Sequence, residues 1–176
     1  MLALNKDSIL EDVLLNDTKK RDIVVGMLKK RGVELEAIAE ITYDLQKPYI
    51  PQLTQAMCVE HVERVVMKRE VQNAILTGLE LDRLTEEGHV SEPLKTMLKD
   101  DWGLYGVDEV LALAIVNVYG SIGFTNFGYV DKVKPKIMKT VDELGKADDV
   151  CNTFLDDIIG AIAAAAASSI AHRYAR

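Results

Sequence analysis

Apolar positions along this chain recur at three- and four-residue spacing with little strict alternation, which predicts helices throughout and an all-α fold. Ser8 to Leu15 reads as a short first helix capped by Asp7 or Ser8. Asp17 or Thr18 opens a second, which ends at Lys29-Lys30-Arg31 with Gly32 just past it. Glu34 to Gln46 forms a third, stopped by Lys47-Pro48 and Pro51. From Thr54 the spacing predicts one long helix to Leu84. On it Val59, Val62, Val66, Glu70, Asn73, Thr77 and Leu81 share a stripe that turns polar at Glu70. Glu86 to His89 reads as a loop, Pro93 as the first turn of a short helix ending near Lys99, and Asp101 to Gly106 as a turn-rich connector. Asp108 opens an apolar helix through Leu111, Ile115 and Tyr119 that Pro135 ends at Lys134. Gly120, Gly123 and Gly128 lie along it. Each costs about 1 kcal/mol relative to alanine, which predicts close helix contact or a break near Gly123. Pro135 then starts an amphipathic helix to Leu144-Gly145.

The last segment, Thr153 to Ala171, makes a helix about 28 Å long. It is small or aliphatic on every side, so its neighbours are expected to bury it. Asp156 and Asp157 stand at its head. Two adjacent carboxylates in a buried position repel each other and call for a cation. A helix N-terminus supplies only about half a charge, so a metal ion or a lysine is required. The alanine run also offers a surface for homo-oligomer formation.

At 176 residues the chain is expected to form one domain, residues 1–176, a compact bundle of about six to eight helices around the buried apolar one. The net charge of −7 excludes a general nucleic-acid binder. A helix-turn-helix reading of Val33 to Arg69 is the alternative, disfavoured by the prolines in its turn. Cys58 and Cys151 lack a CxxC pattern and read as buried apolar residues of a reduced, cytoplasmic protein. His61, His89 and His172 have no paired spacing and read as surface residues rather than zinc ligands. Lys19-Lys20-Arg21 and Lys29-Lys30-Arg31 read as a solvated face. No uninterrupted apolar run reaches the roughly 18 residues of a membrane span, so a soluble chain is expected.

Three carboxylate-bearing points then lie on three helices: Glu70, Asp131 and the pair Asp156-Asp157. Carboxylates on facing helices commonly build metal sites, and an all-oxygen set selects Mg²⁺, Mn²⁺ or Ca²⁺. A salt bridge from Glu70 to a neighbouring lysine or arginine accounts equally well for that residue.

Tyr129-Val130-Asp131-Lys132-Val133-Lys134-Pro135 is followed by Phe154-Leu155-Asp156-Asp157-Ile158-Ile159-Gly160. This arrangement resembles phosphatidylglycerophosphatase A, whose members carry a Phe-Asp-x-x-Lys-Pro segment and then a Met-Leu-Asp-Asp-x-x-Ala-Gly helix. It is most similar to the soluble Gram-positive branch that includes proteins described as low-temperature-requirement C. Val66-Met67-Lys68-Arg69-Glu70 lines up with the family's apolar-apolar-Trp-Asp-Glu segment. Arg69 departs from the family aspartate, and Gly128 from a common arginine. The resemblance implies Mg²⁺-dependent hydrolysis of a phosphate monoester on a lipid headgroup, phosphatidylglycerophosphate, at an anionic membrane surface. It implies Glu70, Asp131, Asp156 and Asp157 as metal ligands, and Asp131, Lys134 and Asp157 as catalytic residues, with Lys134 as the phosphate contact. A phosphatase of a soluble ester and a non-catalytic metal-binding module are the alternatives.

Overall fold

Residues 16–103, 105–147 and 149–174 are described by the structure, a computed structural model. The expected helix Ser8 to Leu15 lies outside them. Among the described residues are nine α-helices, one 3₁₀ turn and no strand. We number the helices α1 (Asp17–Lys30), α2 (Leu35–Gln46), α3 (Gln55–Val66), α4 (Arg69–Glu86), α5 (Leu94–Lys99), α6 (Val107–Val116), α7 (Ser121–Val133), α8 (Ile137–Leu144) and α9 (Leu155–Tyr174).

Helix α9 is the axis of the bundle. Helices α2, α3, α4, α6, α7 and α8 all pack on it, and every residue from Leu155 to Ser168 is buried. Its alanines and Gly160 carry so little bulk that neighbours pack close on every side. The expectation that the alanine run meets a second subunit is therefore corrected: it is consumed inside one chain. By length and composition α9 would also cross a membrane, but 83 % of that stretch is covered by the protein itself.

Two expected helices are broken. Thr54–Leu84 is divided at Met67-Lys68, where Lys68 is extended (φ −75°, ψ 131°). The buried positions explain the break. They run Val62, Val66 and then Val71, Ile75, Leu79. The five-residue step from Val66 to Val71 turns about 140° away from the stripe on a straight helix. Only a break lets both halves face the core. The helix from Asp108 likewise ends in the turn Asn117–Tyr119 and restarts at Ser121, with Gly120 at φ 75°. Gly123 supplies the close contact, since a Cβ there would lie 2.9 Å from Val116 Cγ1.

Two further expectations change. His61 is buried, with Nδ1 2.9 Å from Ser169 Oγ, and is not a surface residue. The basic clusters are a solvated face only in part: Lys19, Lys29 and Lys30 are exposed, whereas Arg21 reaches Glu63, Lys20 is buried beside Asp17 and Arg31 pairs with Glu86.

Candidate functional site

Three helix ends meet at the head of α9. Helix α6 begins there and places Asp108 and Glu109 in its first turn. Helix α7 ends there, with Asp131 in its last turn, and α9 begins there with Asp156 and Asp157. Together with Asp101, Thr153 and Lys134 these residues line a pocket of about 160 Å³. A second pocket of about 380 Å³ shares Asp101, Thr153 and Asp156 with it and extends past Lys99, Asp142, Lys146 and Asn152.

The chain is shaped to deliver these groups. Asp101 follows α5 at φ 45°, where its N–H bonds Leu98 O and that of Trp102 bonds Met97 O. That Schellman-type ending favours glycine, so an aspartate there accepts strain to present a carboxylate. Lys134 closes α7 in the left-handed region at φ 45°, since Pro135 excludes right-handed helical geometry in the residue before it. At the start of α9, Asp82 accepts the Phe154 N–H at 3.2 Å, and Thr153 Oγ1 donates to Leu98 O. Arg31 ties down the preceding loop, donating to Glu86, Cys151 O and Asn152 Oδ1 at 3.0 Å each.

Negative charge outweighs positive in the smaller pocket. Asp157 is buried, and burial together with the neighbouring Asp156, Asp108 and Asp131 pushes its carboxyl up to about 9. Burial also raises Asp156, against the pull of Lys134. The Lys134 ammonium is hydrogen-bonded to Asp156 and lies 3.2 Å from Asp142. Burial works against that ammonium, but these carboxylates hold its pKa well above the ordinary lysine value. Asp108 Oδ1 is buried without a hydrogen-bond partner. Among the described residues no three carboxylate, imidazole or thiol groups converge at ligating distance. The donor chemistry nevertheless fits a hard divalent cation: oxygen ligands only, excess negative charge, and an orphaned carboxylate oxygen facing like charges.

Of the residues expected from sequence, Asp131, Lys134, Asp156 and Asp157 come together here. Glu70 does not. It is exposed in the first turn of α4, and Met67 and Lys68 just before it share a depression with Ser169 near the opposite end of α9. Thirteen residues of helix separate Ser169 from Asp156, about 20 Å. Its neighbour Arg69 pairs with Asp17 at 3.0 Å. Lys134 is held at the rim by two carboxylates, Asp156 and Asp142. Asp101, Asp108 and Glu109 line the pocket and were not anticipated. The signal for the last two was present: like Asp156-Asp157, they are adjacent carboxylates at the head of an apolar helix.

Residues 24–172 match the sequence profile of the family described as Phosphatidylglycerophosphatase A. The chain belongs to that family. Relatives include the uncharacterized proteins YutG, 61 % identical over 83 % of this chain and 87 % of that protein, and YpjQ, 54 % identical over 87 % and 85 %, both from Bacillus subtilis (strain 168). Among solved structures, the low temperature requirement C protein of Listeria monocytogenes superposes with a TM-score of 0.87 at 52 % identity, covering 92 % of this chain and all of that one. A protein of unknown function from Bacillus stearothermophilus superposes with a TM-score of 0.83 at 58 % identity, covering 87 % and 94 %. Phosphatidylglycerophosphatase A membership thus spans nearly all of the described bundle, all three helix ends of the pocket included.

Proposed function

We propose that this protein is a divalent-metal-dependent phosphatase that hydrolyses a phosphate monoester, with phosphatidylglycerophosphate as the substrate the family points to. The observation that carries this reading is that Asp108, Asp131, Asp156 and Asp157, from three helix ends, line one pocket together with a single lysine. Asp108, Asp131, Asp156 and Asp157 are the residues that would hold the ion, Mg²⁺ by preference, with Glu109 and Asp101 at the rim. Bound there, such an ion supplies Lewis-acid polarisation of the phosphoryl oxygens and a water of lowered pKa. In this reading the Asp–Glu pair of the family segment is Asp108-Glu109, and Val66 to Glu70 has no part in the site.

The chain's own groups account for the rest. Asp156 and Asp142 clamp Lys134, so its ammonium waits at the rim as a fixed charge for a non-bridging phosphate oxygen. Water adds to phosphorus as the bond to the alcohol oxygen breaks, Asp131 takes the water's proton and returns it to the departing alkoxide oxygen, and the neutral alcohol and inorganic phosphate leave. The adjoining 380 Å³ pocket receives the remainder of the substrate. Its border of Lys99, Asp142, Lys146 and Asn152 is polar, which favours a soluble phosphate ester as the second reading.

The test is phosphate release from phosphatidylglycerophosphate in detergent micelles, with and without Mg²⁺, by the unaltered protein and by Asp157→Asn. Release that needs both Mg²⁺ and Asp157 supports the lipid reading. Release from water-soluble monoesters alone selects the second. Failure to hydrolyse any monoester, with Mg²⁺ still raising the melting temperature, overturns the enzymatic reading.

A further inference from the structure

The larger pocket at the head of α9 is lined almost wholly by groups that give or take hydrogen bonds. Its 380 Å³ equals the space of roughly twelve waters at about 30 Å³ each, room for an alcohol of a few carbons. Among the described residues that line it, only Gly145 and Ala147 are apolar and none is aromatic. An acyl chain or a nucleobase finds nothing there to pack against. Charge removes two further classes. Lys99 and Lys146 disfavour a cationic alcohol, and Asp100, Asp101, Asp142 and Asp156 disfavour a second anionic group inside the pocket. A neutral alcohol that offers several hydroxyls is left.

Three of these side chains are available to it. Lys146 pairs with Asp142 at 2.8 Å, and Lys134 engages both Asp142 and Asp156. The side chains of Lys99, Asp100 and Asp101 carry no hydrogen bond or salt bridge among the described residues. They are consecutive at the end of α5, and that end is fixed. Leu98 is fully buried, and its carbonyl accepts both the Thr153 hydroxyl and the Asp101 N–H. Two carboxylates that accept from hydroxyls and one ammonium that donates to them are thus held in place before any ligand arrives.

We propose that Lys99, Asp100 and Asp101 select the phosphate ester of a polyhydroxylated alcohol. The proposal rests on the phosphatase reading above, which puts phosphorus in the smaller pocket and the alcohol in the larger. Asp101, on the wall common to both, meets the hydroxyl nearest the phosphate, and Lys99 and Asp100 meet those farther along. A glycerol phosphate headgroup on a lipid and a free polyol phosphate share this chemistry. In the lipid, the phosphodiester beyond the glycerol stays outside the pocket.

The test compares kcat/KM, with Mg²⁺, for glycerol phosphate and for propyl phosphate, which has the same carbon chain without the hydroxyls. The unaltered protein is expected to favour glycerol phosphate by at least about 10-fold. Lys99→Ala and Asp100→Ala, both at exposed positions, are expected to reduce that preference and leave propyl phosphate turnover unchanged. Equal turnover of the two esters overturns the proposal, as do substitutions that slow both alike or a faster reaction with phosphoethanolamine. Phosphatidylglycerophosphate micelles separate the two sources. A matching loss on the micelles in Lys99→Ala assigns the lipid headgroup, and a loss on glycerol phosphate alone assigns the free ester. If the micelles alone are hydrolysed, an unchanged rate in both variants overturns the proposal. If no ester is hydrolysed, the phosphatase reading fails by itself, and calorimetry with the two soluble esters still decides. Tighter binding of glycerol phosphate that Lys99→Ala removes supports hydroxyl selection, and equal binding overturns it.

Discussion

Asp157 carries the largest electrostatic burden of the site, and its protonation links the pocket to stability. Its carboxyl titrates near 9 in the folded chain and close to the ordinary carboxylate value once unfolded. Between those values the folded protein holds a proton that the unfolded chain has released. The linkage sign follows: stability of the metal-free protein falls as pH rises from about 4 to about 9. Asp82, pushed up to about 8 by burial, adds a loss of the same sign. Thermal melts without metal are expected to show a lower Tm at pH 8 than at pH 5.5, with Mg²⁺ restoring more at the higher pH. Asp157→Asn removes the titrating group and with it the cost of keeping that carboxyl protonated in the folded chain. It should raise the metal-free Tm at pH 8 by roughly 2–8 °C, on the order of 1–2 kcal/mol, and abolish the Mg²⁺-induced rise. A metal-free loss of stability in that variant would instead make the carboxylate a structural partner of Lys134.

At the scale of elements, glycine decides how closely helices meet α9, and a loop anchor decides where α9 begins. A Cβ on Gly78 would lie 2.6 Å from Ile158 Cδ1 and 2.9 Å from Phe154 Cβ. The methyl can shift, but the Phe154 Cβ moves only with its backbone. Gly78→Ala should therefore cost about 1–3 kcal/mol in urea unfolding. Gly26→Ala, in α1 with nothing within 4 Å, should stabilise by about 0.5–1 kcal/mol through helix propensity. Arg31→Ala removes three acceptors' donor in the loop that leads into α9 and should cost about 2–3 kcal/mol. Its rate of phosphate release should fall with it, because the same loop positions Thr153 and Asp156. Helix existence was legible at this scale because propensity and apolar spacing are local. The break at Gly120 was legible too, three residues from the one the glycines predicted near Gly123. The break at Met67-Lys68 was not: it follows from which face of each half meets the core, and a stripe such as Val59 to Leu81 looks continuous until that partner is placed.

For the whole molecule, one apolar helix organises both the core and the chemistry. Its burial was readable from Phe154 to Ala171 because, apart from the two aspartates at its head and Ser168-Ser169, every side chain there is small or apolar. Asp131, Lys134, Asp156 and Asp157 were readable because each lies in a short segment with its own pattern. Asp108 and Glu109 were missed for a physical reason: they belong to the site only through the fold, some fifty residues before Asp157 in the chain. Glu70 was assigned through a helix that the structure breaks, and it ends near the far end of the axis. Which carboxylates do the work therefore distinguishes a site at the head of α9 from one that includes Glu70. The most direct measurement is Mg²⁺-dependent phosphate release from phosphatidylglycerophosphate by Asp108→Asn and Glu70→Gln beside the unaltered protein. The structure predicts a loss of at least about 100-fold in Asp108→Asn, the scale of one essential electrostatic group, and an unchanged rate in Glu70→Gln. The reverse pattern, with Glu70→Gln inactive and Asp108→Asn unaffected, would contradict the site assembled at the head of α9.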